Sequence, residues 1–323
     1  MIATTNLKPD APQCSSCPVD SAALLLEALP VRQAADPHLL RDIMVAVDAS
    51  NPSLVTLHYA AELVNACSTP LVALIFVDGR IEPEIGFGQG DTTTYLVAEW
   101  EAALREAVAL ARQRVRSFAD CRGLSITIGD DVARFEHAIA NASRGASCLV
   151  VGRRGRYIRQ AGLSRKAIAR ILEQTGKAVL VAPVEWTRIR RVSVVLSDPE
   201  EDRDALGSAF QVAGAVRAPL EIVAVAERRE LWMSALEQVR RMAGNGPLRT
   251  TFSARPGGLS DDRTWQAPPE CLLVVGRSAQ RRTGNGQPVN LVDSILRMAL
   301  GPVLFSSSSV EMEAFKHERR GAL

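Results

Sequence analysis

Short, mostly apolar runs alternate with longer amphipathic segments along most of this chain, and this alternation constrains the fold more than any other feature of the sequence. Five runs in the first part of the chain have the length of a strand: 43–47, 71–77, 124–128, 148–151 and 178–182. Strands that are apolar at almost every position are buried on both faces, as in a parallel sheet covered by helices. The segments between the runs carry apolar residues at helical spacing. The sequence therefore predicts an α/β fold with a parallel sheet.

The alternation begins again at about residue 190, which indicates an internal repeat. Five further runs have strand length: 192–196, 220–225, 248–252, 272–275 and 302–305. The segment 149–153 (Leu-Val-Val-Gly-Arg) in the first copy matches 274–277 (Val-Val-Gly-Arg) in the second. The interval from Ser197 to Gly276 is shorter than the aligned interval from Asp48 to Gly152, so the second copy is a trimmed one.

The predicted architecture is therefore two tandem open parallel five-stranded sheets, each flanked by helices, with the second copy shortened. Four segments follow from this division: an N-terminal extension (1–40), a first domain (41–186), a shortened second domain (187–306) and a polar tail (307–323). Repeated prolines break the extension, and charged residues dominate the tail. The length of 323 residues fits two domains.

Composition excludes several classes of protein. Hydrophobic residues make up 47% of the chain and charged residues 23%, which are ordinary values for an ordered globular protein. The net charge of +2 argues against a dedicated nucleic-acid-binding protein. No apolar run approaches the roughly 20 residues that cross a bilayer, and the N-terminus lacks the basic-then-apolar pattern of a signal peptide. We expect a cytoplasmic protein that binds neither nucleic acid nor membrane.

Residues that bind metals or act as nucleophiles are scattered along the chain. Cys14 and Cys17 form a Cys-Ser-Ser-Cys pair, but they lack both the helix of a redox dithiol and the second ligand pair of a zinc site. The four histidines stand at no metal-ligand spacing. No nucleophile is paired with a base in a recognisable motif. The sequence therefore predicts no metal site and no catalytic residue.

The residues that end the predicted strands of the first copy point to a ligand site. In an open parallel sheet, ligands bind beyond the carboxyl ends of the strands, at the place where the strand order reverses. Asp48 follows the first strand, Val77 ends the second, and a Gly-x-x-Gly motif (Gly152 and Gly155) follows the fourth. Glycines permit close approach of the backbone, and the N-terminus of the next helix suits a phosphate.

Two tandem five-strand units, with an Asp after the first strand and Gly-x-x-Gly after the fourth, resemble the universal stress protein family. The resemblance covers residues 41–184 and 190–306 and implies an adenine-nucleotide alpha-hydrolase-like fold. In the nucleotide-binding branch of that family, the second glycine is followed by nine residues and then by Gly and Ser or Thr. The resemblance implies that Asp48 and Val77 hold the adenosine of ATP. It also implies that Gly152 and Gly155 hold the phosphates, with Mg²⁺.

The end of that motif is altered, because Arg165 and Lys166 stand where glycine and a hydroxyl residue are expected. Two interpretations stay open: the Arg165 side chain occupies the phosphate site itself, or Arg165 and Lys166 form ion pairs with a phosphate. Both residues belong to a cationic stretch that begins at Arg153 and contains no acid as far as Arg170. That stretch is either a solvated basic loop or a site for an anion: a nucleotide phosphate, a polyphosphate or an acidic partner surface.

The second copy has lost more of the motif. Gly276 is kept, but Ala279 replaces the next glycine and Ser197 replaces Asp48. We expect this second site to hold no nucleotide.

Three functions are consistent with these residues. The first is a stress-response regulatory protein whose first domain binds ATP or a related adenosine nucleotide and whose second domain is degenerate. The second is a ligand-free, stress-associated interaction or scaffold protein with both sites lost; the sequence does not identify its protein partner. The third, slow ATP hydrolysis, has only Asp48 and Asp78 as candidate groups.

Assembly follows from the apolar edge strands. The fifth strand of each copy (Val179–Val181 and Val303–Phe305) would be exposed in an open sheet, and exposed edges invite pairing. Single-domain members of the family dimerise through this strand. The resemblance therefore implies an intramolecular pseudo-dimer of the two domains, which leaves a further homo-dimer open.

Overall fold

The chain forms one continuous sheet with helices on both faces. The computed structural model describes residues 23–24, 40–48, 54–76, 91–133, 139–141, 143–153, 163–198, 200–225, 229–243, 248–255, 267–276, 278 and 291–306. The elements up to the middle of the chain are β1 (Ala23–Leu24), β2 (Ile43–Asp48), α1 (Leu54–Cys67), β3 (Leu71–Phe76), α2 (Asp91–Arg122), β4 (Ile126–Ala133), a 3-10 turn (Ser143–Gly145), β5 (Cys148–Gly152), α3 (Arg165–Thr175) and β6 (Ala178–Ala182). The later elements are β7 (Arg191–Leu196), α4 (Arg203–Val216), β8 (Leu220–Val225), α5 (Arg229–Ala243), β9 (Thr250–Arg255), β10 (Cys271–Val275), α6 (Leu291–Met298) and β11 (Val303–Phe305).

Within the described residues the sheet has eleven strands in the order β1-β9-β8-β7-β10-β11-β6-β5-β2-β3-β4. We call β2 to β6 with α1 to α3 the first half, and β7 to β11 with α4 to α6 the second half. Within each half all neighbouring strands are parallel. The predicted α/β class and the two parallel five-strand units are confirmed. The two units share one sheet because β6 of the first half pairs with β11 of the second.

The apolar runs are explained by cover on both faces of the sheet. Alternate residues of β5 face opposite cores: Cys148 and Val150 pack in one core cluster, and Leu149 and Val151 pack in the other. Helices α1, α2, α4 and α5 contribute to the first cluster, and α3 and α6 contribute to the second. A strand in the middle of such a sheet gains hydrophobic stabilisation from every side chain, which is why it is apolar at every position.

The two halves contact each other in the sheet and in the helix layers on both of its faces. In the sheet, β6 and β11 pair antiparallel, with Leu180 opposite Leu304. On one face α1 packs against α4, and on the other face α3 packs against α6. The pairing of the two fifth strands agrees with the intramolecular arrangement that the resemblance implied. It also covers an apolar edge that would otherwise be open to another chain.

Two features of the sheet differ from a simple reading of the apolar runs. Strand β4 continues to Ala133, beyond the apolar run 124–128, and its pairing with β3 shifts register between Ala73 and Ile75. The short strand β1 pairs antiparallel with β9, so the N-terminal extension adds a strand at the outer edge of the second half. Within the described ranges, none of the helices has both the length and the apolar content of a membrane span.

Candidate functional site

The strand order of the first half reverses between β2 and β5. From β2 the chain moves outward through β3 and β4, and it then returns to the other side of β2 as β5. The two strands are parallel, with Val45 opposite Val150. Asp48 and Gly152 therefore end neighbouring strands at the same edge of the sheet, which is where open α/β sheets bind ligands.

Gly152 is required by its contact with helix α1. A Cβ atom at this position would lie 2.7 Å from Oγ1 of Thr56, which is closer than real Cβ contacts come. Thr56 is itself buried in the first turn of α1, so it has little room to move. The carbonyl of Gly152 accepts a hydrogen bond of 2.7 Å from the N–H of Leu163, where the described chain resumes after 153. This packing accounts for the glycine without a ligand, a reason that the sequence motif alone does not reveal.

Helix α3 begins at this edge with two cations. Ser164 is its N-cap, and the Ser164 hydroxyl accepts a hydrogen bond of 3.2 Å from the N–H of Ala167. Arg165 and Lys166 are the first two residues of the helix, and both are exposed. The partial positive charge of a helix N-terminus repels positive side chains. A nearby anion therefore stabilises this arrangement.

The anion near Arg165 comes from the other half of the protein. The Nε atom of Arg165 lies 2.6 Å from Oδ1 of Asp293, on helix α6. The Asp293 carboxylate also forms an ion pair with Arg297, one turn further along the same helix. Arg165 is thus committed to the packing of α3 against α6 in this structure. Lys166 stands beside it on the exposed surface.

Arg153, the residue after Gly152, also faces α6. Its Nη1 donates to the carbonyl oxygen of Leu296 at 2.6 Å, and its Nη2 donates to that of Leu300 at 3.1 Å. Burial lowers the pKa of the Arg153 guanidinium, whereas Tyr59 raises it. A cation at the C-terminal end of a helix satisfies carbonyls that have no partner inside the helix. Arg153 therefore caps α6.

These arginines line a cleft of about 920 Å³ between the two halves. Arg153 and Arg165 line its first-half wall together with Ser164, and Arg297 and Leu300 lie on the second-half wall. The segment that follows β6 lines it as well, from Pro183 onwards. The lining of the cleft carries three arginines and one acid, Glu185, and the cleft opens beside the carboxyl ends of β5 and β6.

The predicted site residues are only partly described. Gly152, Arg153, Arg165 and Lys166 lie at one edge of the sheet, while of Asp48 the structure describes the backbone at the end of β2. Val77 and Gly155 lie outside the described residues, as do Arg154, Arg156 and Arg159. Among the described residues, no group of three His, Cys, Asp or Glu side chains is placed to hold a metal ion.

Sequence reasoning missed the residues that engage the arginines. Asp293 is more than a hundred positions away from Arg165 in the chain, and nothing in the local sequence of α6 marks it as a partner. The two hydroxyl residues at this edge, Thr56 beside Gly152 and Ser164 at the N-cap of α3, did carry a signal in the sequence. Both stand in or next to the first turn of a helix that follows a predicted strand. Such positions bring hydroxyl groups to the carboxyl edge of the sheet.

Comparison with known proteins identifies the fold. Residues 40–183 match the model of the universal stress protein family. No curated protein matches the chain. Among solved structures, a universal stress protein from Archaeoglobus fulgidus DSM 4304 superposes with a TM-score of 0.58 at 14% identity, covering 84% of this chain and 98% of that one. A functionally unknown protein from Pseudomonas aeruginosa PAO1 gives a TM-score of 0.47 at 14% identity, covering 83% and 93%.

The family match and the fold agree. The matched segment 40–183 contains the whole first half, from β2 to β6, and thus both strands that meet at the candidate site. The likeness to the Archaeoglobus protein extends over most of the chain and shows a shared fold. Residues 40–183 of this chain therefore belong to the universal stress protein family.

Proposed function

We propose that this chain is a stress-response regulatory protein whose first half binds ATP or a related adenosine nucleotide. Family membership supports the role in stress response. The observation that carries the nucleotide proposal is the position of Asp48 and Gly152, which end neighbouring parallel strands at the point where the strand order reverses. Ligands of this fold class enter at that point.

The residues at this edge fit the phosphates of a nucleotide. The first turn of α3 reads Arg-Lys-Ala-Ile, so cationic side chains and helix N–H groups are near one another. Lys166 is exposed and reaches an incoming phosphate without leaving a partner among the described residues, whereas Arg165 must exchange Asp293 for it. By the family resemblance, Asp48 and Val77 hold the adenosine.

The alternative is an interaction protein that binds no nucleotide, and two observations favour it. Gly152 is explained by its contact with Thr56, and the guanidinium of Arg153 is bonded to α6. In that case the altered motif serves the packing of the two halves rather than a ligand.

Thermal unfolding with and without nucleotide separates the two functions. A ligand present at 100 times its dissociation constant adds about 2.7 kcal/mol, which raises Tm by a few degrees for a protein of this size. We expect Mg-ATP to produce this shift in the wild type and not in Asp48→Ala. The matched control is Asp42→Ala, which removes an exposed carboxylate at the opposite end of the same strand and should keep the full shift. No shift with ATP, ADP or AMP would leave the interaction protein as the function.

A further inference from the structure

The second half has its own crevice at the point where its strand order reverses. That half is ordered β9-β8-β7-β10-β11, so the reversal lies between β7 and β10. Ser197 follows β7 and Gly276 follows β10, in the positions that Asp48 and Gly152 hold in the first half. The register agrees, because Val194 lies opposite Val274 as Val45 lies opposite Val150.

A carboxylate of the chain itself lies in this crevice. Asp202 is fully buried, with 0% of its surface exposed. It is the N-cap residue of α4, yet within the described chain its side chain makes no capping hydrogen bond to that helix. The carboxylate is turned back toward the ends of the strands instead.

Four donors from the two strand ends converge on Asp202. Its Oδ2 accepts hydrogen bonds from the N–H of Ser197 at 2.8 Å and of Asp198 at 3.2 Å. Its Oδ1 accepts from the N–H of Ser278 at 3.0 Å, and the Ser278 hydroxyl donates to Oδ2. The hydroxyls of Ser197 and Ser278 also bond to each other. Backbone N–H groups that converge from successive loop residues form a cradle for an anion.

Gly276 makes room for this carboxylate. A Cβ atom at Gly276 would overlap Oδ1, Cγ and Cβ of Asp202. The equivalent Gly152 instead faces Thr56 of α1. The glycine that the second half retains is therefore explained by an internal anion.

We propose that the crevice between β7 and β10 is an oxyanion-binding cradle that the chain fills with its own Asp202 carboxylate, which closes the second half to nucleotide phosphate. Three backbone N–H groups and a hydroxyl are donors that a phosphate oxygen would use, and the carboxylate satisfies them at no cost in ligand-binding entropy. The inference rests on the proposed function in one respect, because the excluded ligand is of the class proposed for the first half, a phosphate. It does not require the first half to bind ATP.

Inorganic phosphate is the probe that tests the cradle. All variants are made in full-length protein, and each phosphate effect is compared with that on the wild type, because every variant keeps the exposed cations of the first half. Tm is measured in millimolar phosphate and in chloride of equal ionic strength, which separates a bound ion from a general salt effect. The variants are Asp202→Ala, which empties the cradle, and Asp202→Asn, which keeps its shape. The control, Glu237→Ala, removes an exposed acid on α5.

We expect Asp202→Ala to melt at a lower temperature in chloride and to regain several degrees in phosphate in a saturable manner. Asp202→Asn, whose amide turns a donor toward the N–H groups, should be destabilised without a phosphate effect beyond that of the wild type. Glu237→Ala should respond to phosphate as the wild type does. If Asp202→Ala is unfolded in chloride, cooperative melting restored by phosphate supports the cradle, and a chain unfolded in both salts contradicts it.

A phosphate effect on Asp202→Ala no larger than that on the wild type would overturn the proposal and make Asp202 a structural loop residue. That result would leave ATP binding by the first half standing, because the nucleotide shift is measured in protein with an intact Asp48. Conversely, a phosphate effect on Asp202→Ala would support the cradle even if ATP does not shift the Tm of the wild type.

Discussion

The Nε atom of Arg165 lies 2.6 Å from Oδ1 of Asp293, and this ion pair joins the edge of the sheet where we place the nucleotide to the second half of the protein. Arg165 begins α3, and Asp293 lies in the first turn of α6. A phosphate at the N-terminus of α3 would compete with Asp293 for the same guanidinium. A ligand bound there would therefore be coupled to the contact between the halves through one side chain.

Replacing Asp293 should strengthen nucleotide binding. The Arg165 side chain is 48% exposed, and exposed ion pairs contribute only about 0.2–1 kcal/mol. Asp293→Asn removes the competing charge, so we expect the Kd for ATP to fall by up to about fivefold. Titration calorimetry at low salt measures the change, with Glu237→Gln as the control. An unchanged Kd would show that Arg165 makes no contact with the phosphates.

Arg153 should contribute more to stability than the exposed Arg165 pair. It is partly buried, and it donates to two carbonyls at the end of α6. Arg153→Met keeps most of the apolar stem and removes both bonds, which leaves the Leu296 and Leu300 carbonyls without these donors. We expect a loss of about 2–4 kcal/mol in the free energy of unfolding. Urea denaturation measures it, and Arg170→Met, on the exposed face of α3, should change it by less than about 0.5 kcal/mol.

Local sequence predicts the central strands well because their burial is uniform. Strands β2, β3, β5 and β6 are covered on both faces, and each appears as an uninterrupted apolar run. Among the described strands β4 pairs only with β3, and it contains Gly129, Asp130 and Asp131, so its second part carries no apolar signal. Its extent is determined by pairing across the register shift, which a window of residues cannot show.

Of the candidate site, the strand-end residues could be predicted from the sequence, but the partners of the arginines could not. The rule that ligands bind where strand order reverses places Asp48 and Gly152 together, because both follow apolar runs. The partners of Arg153 and Arg165 could not be predicted, since they depend on how α3 packs against a helix more than a hundred residues away. No sequence pattern selects Asp202 either, because it fills the second crevice through a turn of the chain rather than through a motif.

The contact between Gly152 and Thr56 can be tested by a double mutant. Gly152→Ala places a methyl group 2.7 Å from Oγ1 of Thr56, and we expect a loss of about 1–3 kcal/mol in the free energy of unfolding. Thr56→Ala removes that oxygen, so the double mutant should regain much of the loss, whereas Thr56→Val keeps the bulk and should not.

The control for this cycle is Gly145→Ala. A Cβ atom at Gly145 meets nothing within 4 Å among the described residues, so this change should be nearly neutral. Equal losses for Gly152→Ala in the wild-type and Thr56→Ala backgrounds would mean that another neighbour requires the glycine.

Protonation of His58 should destabilise the protein. Nη2 of Arg122 lies 2.9 Å from Nδ1 of His58, and the ring also packs against Phe118 and Trp186. Burial lowers the pKa of His58 below its ordinary value of 6.5, and Arg122 lowers it further. Below pH 6.5 the unfolded chain therefore binds more protons at this residue than the folded one. The free energy of unfolding should fall as the pH drops from 6.5 toward the pKa of His58 in the folded protein. Above pH 6.5 the contribution of His58 should stay constant.

Denaturation curves between about pH 5 and 7.5 measure this effect. His58→Phe keeps a ring against Phe118 and removes the titrating group. Its free energy of unfolding should depend less on pH than that of the wild type. Identical dependence in both proteins would show that the contact with Arg122 does not favour the neutral ring.

The pairing of Leu180 with Leu304 joins the two halves within the sheet. The two residues lie opposite each other where β6 meets β11, and both are fully buried with 0% of their surface exposed. A carboxylate here would lie inside the first core cluster with no cation among the described strand neighbours, and an unpaired buried charge costs several kcal/mol. Leu180→Asp should therefore lower Tm strongly, or separate the two halves so that proteases cut between Ala182 and Arg191.

Leu180→Met keeps the volume and should cost less than about 1.5 kcal/mol. A Leu180→Asp protein that melts like the wild type would mean that the two halves fold without the support of this strand pair.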